Sequence, residues 1–165
     1  MSIDDILSLL REELGEHIIK EVQESVIQDS LLIEKEDLLN VCTVLHKHEQ
    51  LYIDFLSSIT AQDNGEKIGT IDVVYHLLSL VYEHNVTLKV SVLRGTKSEL
   101  PIIPSVTSIW AAANWHEREA YDLVGVKFKG HPDLRRILLP TNWEGHPLRK
   151  DYKEQEYYHG VKVKY

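Results

Sequence analysis

The chain has 165 residues, 43% of them hydrophobic, and a net charge of −8 from 18 Lys and Arg against 26 Asp and Glu. That size and apolar content fit one globular domain, or one domain and a tail, able to bury a core without disulfides, and they exclude wholesale disorder. No apolar run approaches the ~18 residues of a membrane-spanning helix, and the single cysteine, Cys42, excludes an intrachain disulfide, a Cys-rich zinc site and a Cys-ligated iron–sulfur cluster.

The start Met1-Ser2-Ile3-Asp4-Asp5 lacks the basic region of a secretory signal and the arginines of a mitochondrial presequence, so a cytoplasmic place, or the cytoplasmic side of a membrane, is expected. Ser2 followed three residues later by Asp5 predicts a helix start. Ile3, Ile6, Leu7, Leu10 and Leu14 then share one helical face, and Gly15 is the expected stop. Short β-branched runs over Ile18–Val22 and Val26–Ile33 predict two strands with a turn near Asp29 and Ser30. Glu36 and Asp37 open a second helix with the apolar stripe Leu38, Val41, Cys42 and Leu45, which makes Cys42 a small core residue and not a reactive thiol.

Leu51–Ile59 is predicted as a strand with Leu51, Ile53 and Phe55 on one face, followed by a turn at Gln62-Asp63-Asn64-Gly65. Ile71–Tyr82, apolar on both faces, is a central strand. After a turn at Glu83-His84-Asn85, Val86, Leu88, Val90 and Val92 alternate with polar residues, so the two runs form an antiparallel hairpin. A loop spans 94–105, punctuated by Gly95, Pro101 and Pro104. Thr107 or Ser108 caps a helical stretch running through Trp110 to Leu123 and stopping at Gly125. Beyond Val126 the chain is loop-rich. Without strand–helix alternation a doubly wound nucleotide fold is disfavoured, and a two-layer α+β domain over 1–125, its mostly antiparallel or mixed sheet packed by helices, with an extended docking segment and tail over 126–165, is expected.

Two constellations carry information. The first is Glu117-Arg118-Glu119 with Asp122, where Arg118 and Asp122 stand four apart on a helix and can pair. The plain alternative is a solvated salt-bridge helix, but Trp110, Trp115 and Tyr121 put apolar area beside these charges, as in a binding surface. The second is a near-repeat. Gly130-His131-Pro132-Asp133-Leu134-Arg135-Arg136 is similar to Gly145-His146-Pro147-Leu148-Arg149-Lys150, each with a glycine, a histidine held extended by proline, a leucine and a basic pair. Such stiff loops can present arginine forks to carboxylates or phosphates, unless they are two ordinary turns. Charge follows the same division: residues 1–60 hold four basic and thirteen acidic side chains, residues 125–153 seven basic and three acidic.

Together with Asn114-Trp115, Tyr121-Asp122-Leu123, Ile137-Leu138, Pro140, Trp143 and Asp151-Tyr152, these blocks resemble the signature of the complex I C-subunit family, the small hydrophilic core subunit of proton-pumping NADH:quinone oxidoreductase. The resemblance covers roughly residues 30–152. Val124 stands where an aromatic is expected and Ala111 where a proline is, neither touching the charged positions; a fusion with the quinone-site subunit is not expected. The resemblance implies a scaffold subunit of the peripheral arm that binds no flavin or iron–sulfur cluster and packs on the quinone-site subunit; no metal site is expected either. FMN and clusters would sit in neighbouring subunits, carrying electrons from NADH to quinone at the cytoplasmic face of the bacterial inner membrane. The candidate partner-docking residues are Trp115, Glu117, Arg118, Glu119, Asp122, His131, Asp133, Arg135, Arg136, His146, Arg149, Lys150 and Asp151. The tail from Asp151, rich in tyrosine, is expected to be mobile until it orders along a neighbour.

Three readings compete. A homologous subunit of a membrane-bound hydrogenase or ferredoxin-linked dehydrogenase shares the signature. A metalloenzyme reading of His116-Glu117 fails because the second histidine would fall at Ala120. A nucleic-acid module is disfavoured by the acidic whole.

Overall fold

The computed structural model describes residues 1–25, 29–96 and 99–164. Helix α1 spans Ile3–Leu14. It starts where the sequence places it: the Ser2 hydroxyl accepts from the Asp5 N–H at 3.2 Å, and the Asp5 carboxylate accepts from the Ser2 N–H at 2.9 Å. Gly15, at φ 95°, ends it. A 3₁₀ turn at Glu16–Ile18 leads to β1 (Glu21–Gln23) and β2 (Ser30–Ile33). Ile18 therefore lies outside the strand expected from it, and Ser30 lies inside one; the expected strand residues 26–28 lie outside the described residues. Helix α2 (Leu38–Lys47) buries the whole predicted stripe, Leu38, Val41, Cys42 and Leu45. Burial in that apolar setting pushes the Cys42 thiol far above its ordinary range, with a smaller push from Glu117.

Strands β3 (Phe55–Asp63), β4 (Thr70–Ser79) and β5 (His84–Leu93) complete a five-stranded sheet in the order β1-β2-β5-β4-β3. The β2–β5 pairing is parallel and the others antiparallel. Val73, Tyr75 and Leu77 of β4 and Leu88 and Val90 of β5 form the buried face. The other face of β4 mixes Val74 and Leu78 with polar residues, where an apolar face is expected: Lys89 pairs with Asp72 at 2.8 Å and Thr87 contacts His76 at 3.2 Å.

The strand expected from Leu51 begins at Phe55. Leu51 and Ile53 are fully buried, but they plug the core from a tight turn in which the Leu51 and Tyr52 N–H groups both donate to the His48 carbonyl. Loop residues fixed this way imitate a period of two. Gln62 and Asp63 end β3 rather than forming a turn, and the turn over 64–69 closes with Asn64 donating to the Thr70 carbonyl. His84 and Asn85 belong to β5, so the hairpin tip is Leu80–Glu83. The 94–105 segment contains β6 (Ile102–Pro104), which pairs in parallel with β7 (Lys127–Lys129).

Helix α3 spans Ala113–Leu123, later than predicted, and packs on β3. Neither Thr107 nor Ser108 caps it; the residue before it is Ala112, without a side-chain bond. Trp110 precedes the helix, buried, with its indole N–H donating to the Ile53 carbonyl at 3.1 Å. After β7 the chain runs back over α3. It ends in a small antiparallel hairpin, β8 (Tyr157–Tyr158) and β9 (Val161–Lys162). This hairpin touches its own chain: the Tyr158 hydroxyl donates to the Asn142 side chain at 2.6 Å, and Trp143 and Tyr158 ring centres are 5.2 Å apart.

Candidate docking module around α3 and the 130–151 loop

α3 carries its charges on two sides. Glu117 and Asp122 are fully buried and Arg118 nearly so, whereas Trp115 is 62% exposed and Glu119 faces outward. A carboxylate can be buried only where donors replace water. For Glu117 these are the Ser105 hydroxyl at 2.6 Å and the Val106 N–H at 2.7 Å. Two donors do not offset the burial, which pushes the Glu117 carboxyl up to about 7.

Asp122 is better supplied. One of its oxygens accepts from three consecutive backbone N–H groups, Ile137 at 3.0 Å, Leu138 at 2.7 Å and Leu139 at 2.9 Å. The other accepts from Arg136 at 2.7 Å. Burial opposes the charge, but the bonds from Leu139, Arg136, Leu138 and Ile137 outweigh it and hold the carboxyl below its ordinary value. The expected Arg118–Asp122 pair does not form. Arg118 instead donates to the Arg135 and Arg136 carbonyls at 3.2 and 3.3 Å, and its guanidinium lies 5.3 Å from the Trp115 ring centre.

One arginine of each near-repeat block also turns inward. Arg136 donates to the carbonyls of Trp143 and Gly145, each at 2.9 Å. Arg149, 7% exposed, donates to the carbonyls of Val124 at 2.7 Å and Gly125 at 3.2 Å. The His131 ring accepts from the Asp133 N–H on Nδ1, so Nε2 carries the proton it donates to the Asn114 carbonyl at 3.1 Å. His146 has the other arrangement: Nδ1–H donates to the Asp122 carbonyl at 2.9 Å. Each histidine ties its loop to one end of α3.

A second buried cluster fixes the far end. Arg94 grips Asp63 with two bonds, 2.7 and 2.9 Å, and also pairs with Asp151. The Lys150 and Gly65 N–H groups complete the Asp63 site at 2.8 and 2.9 Å. Burial resists ionisation of Asp63, but Arg94 and these amides bring its pKa down to about 2. Sequence reasoning misses Asp63 and Arg94 as site residues. The one signal it offers is an arginine directly after the alternating strand β5.

Gly125 is the tightest point. It has φ +78°, and a Cβ there would stand 2.5 Å from the His146 ring. Gly125→Ala is expected to lower stability by about 2 kcal/mol, from left-handed strain and crowding. Urea unfolding checks this; a loss below about 0.5 kcal/mol would show that the ring moves aside freely.

Of the thirteen candidates, Trp115, Glu119, Asp133, Arg135 and Lys150 are exposed, and Asp133 and Arg135 pair with each other at 2.9 Å. His131, Arg136, His146 and Asp151 are half-buried, while Glu117, Arg118, Asp122 and Arg149 are buried. The buried side chains bind their own chain, which leaves only the exposed ones facing solvent. A cleft of about 410 Å³ lined by Arg136, His146, Arg149 and Tyr152 lies beside the module. Among the described residues no group of three or more His, Cys, Asp or Glu side chains could hold a metal ion, and no helix is long and apolar enough to cross a membrane.

The family model for the respiratory-chain NADH dehydrogenase 30 Kd subunit matches residues 31–158. The chain is 40% identical over 159 residues to the NADH-quinone oxidoreductase C subunit of Chloroherpeton thalassium, covering 95% of this chain but 63% of that relative. It is 38% identical to the C subunit of Chlorobium phaeobacteroides, over 95% of this chain and 92% of the relative. With that of Moorella thermoacetica it is 45% identical over 82% and 86%. Among solved structures, a chain of the membrane-bound sulfane sulfur reductase, an archaeal respiratory membrane complex, superposes with a TM-score of 0.74 at 22% identity, covering 91% of this chain and 85% of that one. That likeness shows the fold.

Proposed function

Because the chain belongs to the 30 Kd, or C-subunit, family of respiratory-chain NADH dehydrogenase, we propose that it is a structural subunit of the peripheral arm of an NADH:quinone oxidoreductase, holding no cofactor and docked on the quinone-site subunit. The family match over 31–158 carries this reading. It reaches the whole module built on α3, whose buried charges fix a rigid loop surface and leave Trp115, Glu119, Arg135 and Lys150 outside. Preorganised loops lose little entropy on binding. The single cysteine is buried in the core, which leaves no thiolate to ligate a cluster. The holoenzyme would pass electrons from NADH through FMN and clusters in other subunits to quinone, coupled to proton pumping. This chain would sit on the cytoplasmic face of the bacterial inner membrane, held there by its partners.

The test is a tagged full-length chain replacing the chromosomal copy. It should co-purify in equal stoichiometry with a detergent-solubilised, NADH-oxidising, quinone-reducing complex. The chain alone should show no visible absorption. Recovery only as free protein would count against membership of such a complex. A co-purified complex that accepts reduced ferredoxin and not NADH would point to a sibling assembly.

A further inference from the structure

The β4–β5 tip carries exposed apolar side chains that the α3 module does not use. Leu80, Val81 and Tyr82 are 59%, 61% and 51% exposed, consecutive, and set on a tightly held turn. The Tyr82 N–H donates to the Ser79 hydroxyl at 3.2 Å and the Glu83 N–H to the Ser79 carbonyl at 3.0 Å. Asp54 accepts from the Leu80 N–H at 2.8 Å, which ties the tip to the loop bearing Tyr52, itself 45% exposed. Tyr82 lies parallel to the buried His84 ring, 7° between planes and 6.0 Å between centres. Two non-glycine residues here, Tyr52 at φ 38° and Glu83 at φ 54°, adopt left-handed backbone that side chains disfavour. A fold that tolerates such conformations and still turns four large apolar groups to water presents a rigid knob, the form that interface anchors take.

The rim around the knob is acidic. Glu83 is on the tip and Asp54 beneath it. A shallow hollow beside Tyr82 is lined by Met1, Asp5, Ser8, Leu9, Glu49 and Gln50, where the Met1 α-ammonium is the one cation set against two carboxylates. An apolar centre with a predominantly acidic rim favours a partner of the opposite sign.

We propose that the β4–β5 tip is a second docking surface, which seats Leu80, Val81, Tyr82 and Tyr52 in an apolar depression with a basic rim on another subunit of the same assembly. The inference rests on the reading of this chain as a subunit. The α3 module would then hold one neighbour and the tip another, so the chain bridges two.

The experiment uses tagged full-length chain in the native membrane complex, with Leu80→Ser/Val81→Ser, the milder Val81→Ser, and Glu49→Lys. The free variants should melt with the unaltered chain. The serine pair should cut the amount of chain retained in the solubilised complex about tenfold at moderate salt, Val81→Ser by less. Glu49→Lys should weaken retention at low salt and flatten its salt dependence. Unaltered retention of all three variants overturns the proposal. Unfolding of the free serine variants overturns it as well, by giving the tip a structural role. Sedimentation that shows the unaltered chain as a dimer, and Val81→Ser as a monomer, would assign the tip to a second copy instead. If the unaltered chain itself is absent from the membrane complex, the subunit reading has failed and takes this inference with it.

Discussion

Asp122→Ala is expected to lower stability by about 3–5 kcal/mol, the largest loss for any single side chain in the module. The reason lies in what the carboxylate leaves behind. Arg136, 14% exposed at its side chain, would lose its ion-pair partner, and three consecutive amides at 137–139 would lose their common acceptor. Each unsatisfied donor costs about 1–3 kcal/mol unless water reaches it. Part of the loop will hydrate, which is why the sum is not simply additive. The same geometry predicts that charge reversal at Arg136 destabilises the free chain, whereas reversal at the exposed Arg135 leaves it folded. Chemical denaturation of the purified chain measures both. A loss under about 1 kcal/mol for Asp122→Ala would show that the 130–151 loop is not held by this site.

The sequence and the structure agree where local rules decide. α1 has a reciprocal cap, an apolar face and a terminal glycine, all readable within fifteen residues. The hydrophobic alternation of β5 survives because one sheet face is buried along its length. The expectations that miss involve competition across sequence distance. Arg118 and Asp122 have ideal helical spacing, yet backbone groups from 135–139 reach both first. Asp63 precedes Asn-Gly and so reads as a turn residue, while its partner Arg94 lies 31 residues away. The near-repeat is plain in the sequence. That Arg136 and Arg149 fasten the loop inward, while Arg135 stays exposed, depends on carbonyls at 122–125 that only the closed fold brings near. Sequence thus locates the module but cannot tell its fasteners from its outer surface.

Stability should also fall as pH rises from about 4.5 to about 7, because of Glu117. Its ordinary pKa is 4.5, and burial raises it to about 7 in the fold. Between these values the folded chain keeps a proton that the unfolded chain has lost. The stabilisation is complete below the ordinary value and is lost as pH rises through the folded one. A shift of this size corresponds to about 3 kcal/mol. The depressed carboxyls Asp63, Asp122 and Asp151 titrate below this window and do not interfere. His146 does overlap. Burial lowers its pKa, so its contribution runs the other way and declines as pH falls through the ordinary histidine range. The two are separated by Glu117→Gln. A glutamine amide can donate to the Ser105 hydroxyl and accept from the Val106 N–H, which keeps the local bonds while removing the titration. The difference in unfolding free energy between the two chains, measured from pH 5 to pH 8, cancels His146 and isolates Glu117. Glu117→Gln should gain about 3 kcal/mol relative to the unaltered chain across that range. A difference that stays flat with pH would show that the Ser105 and Val106 bonds stabilise the charged form enough to offset its burial.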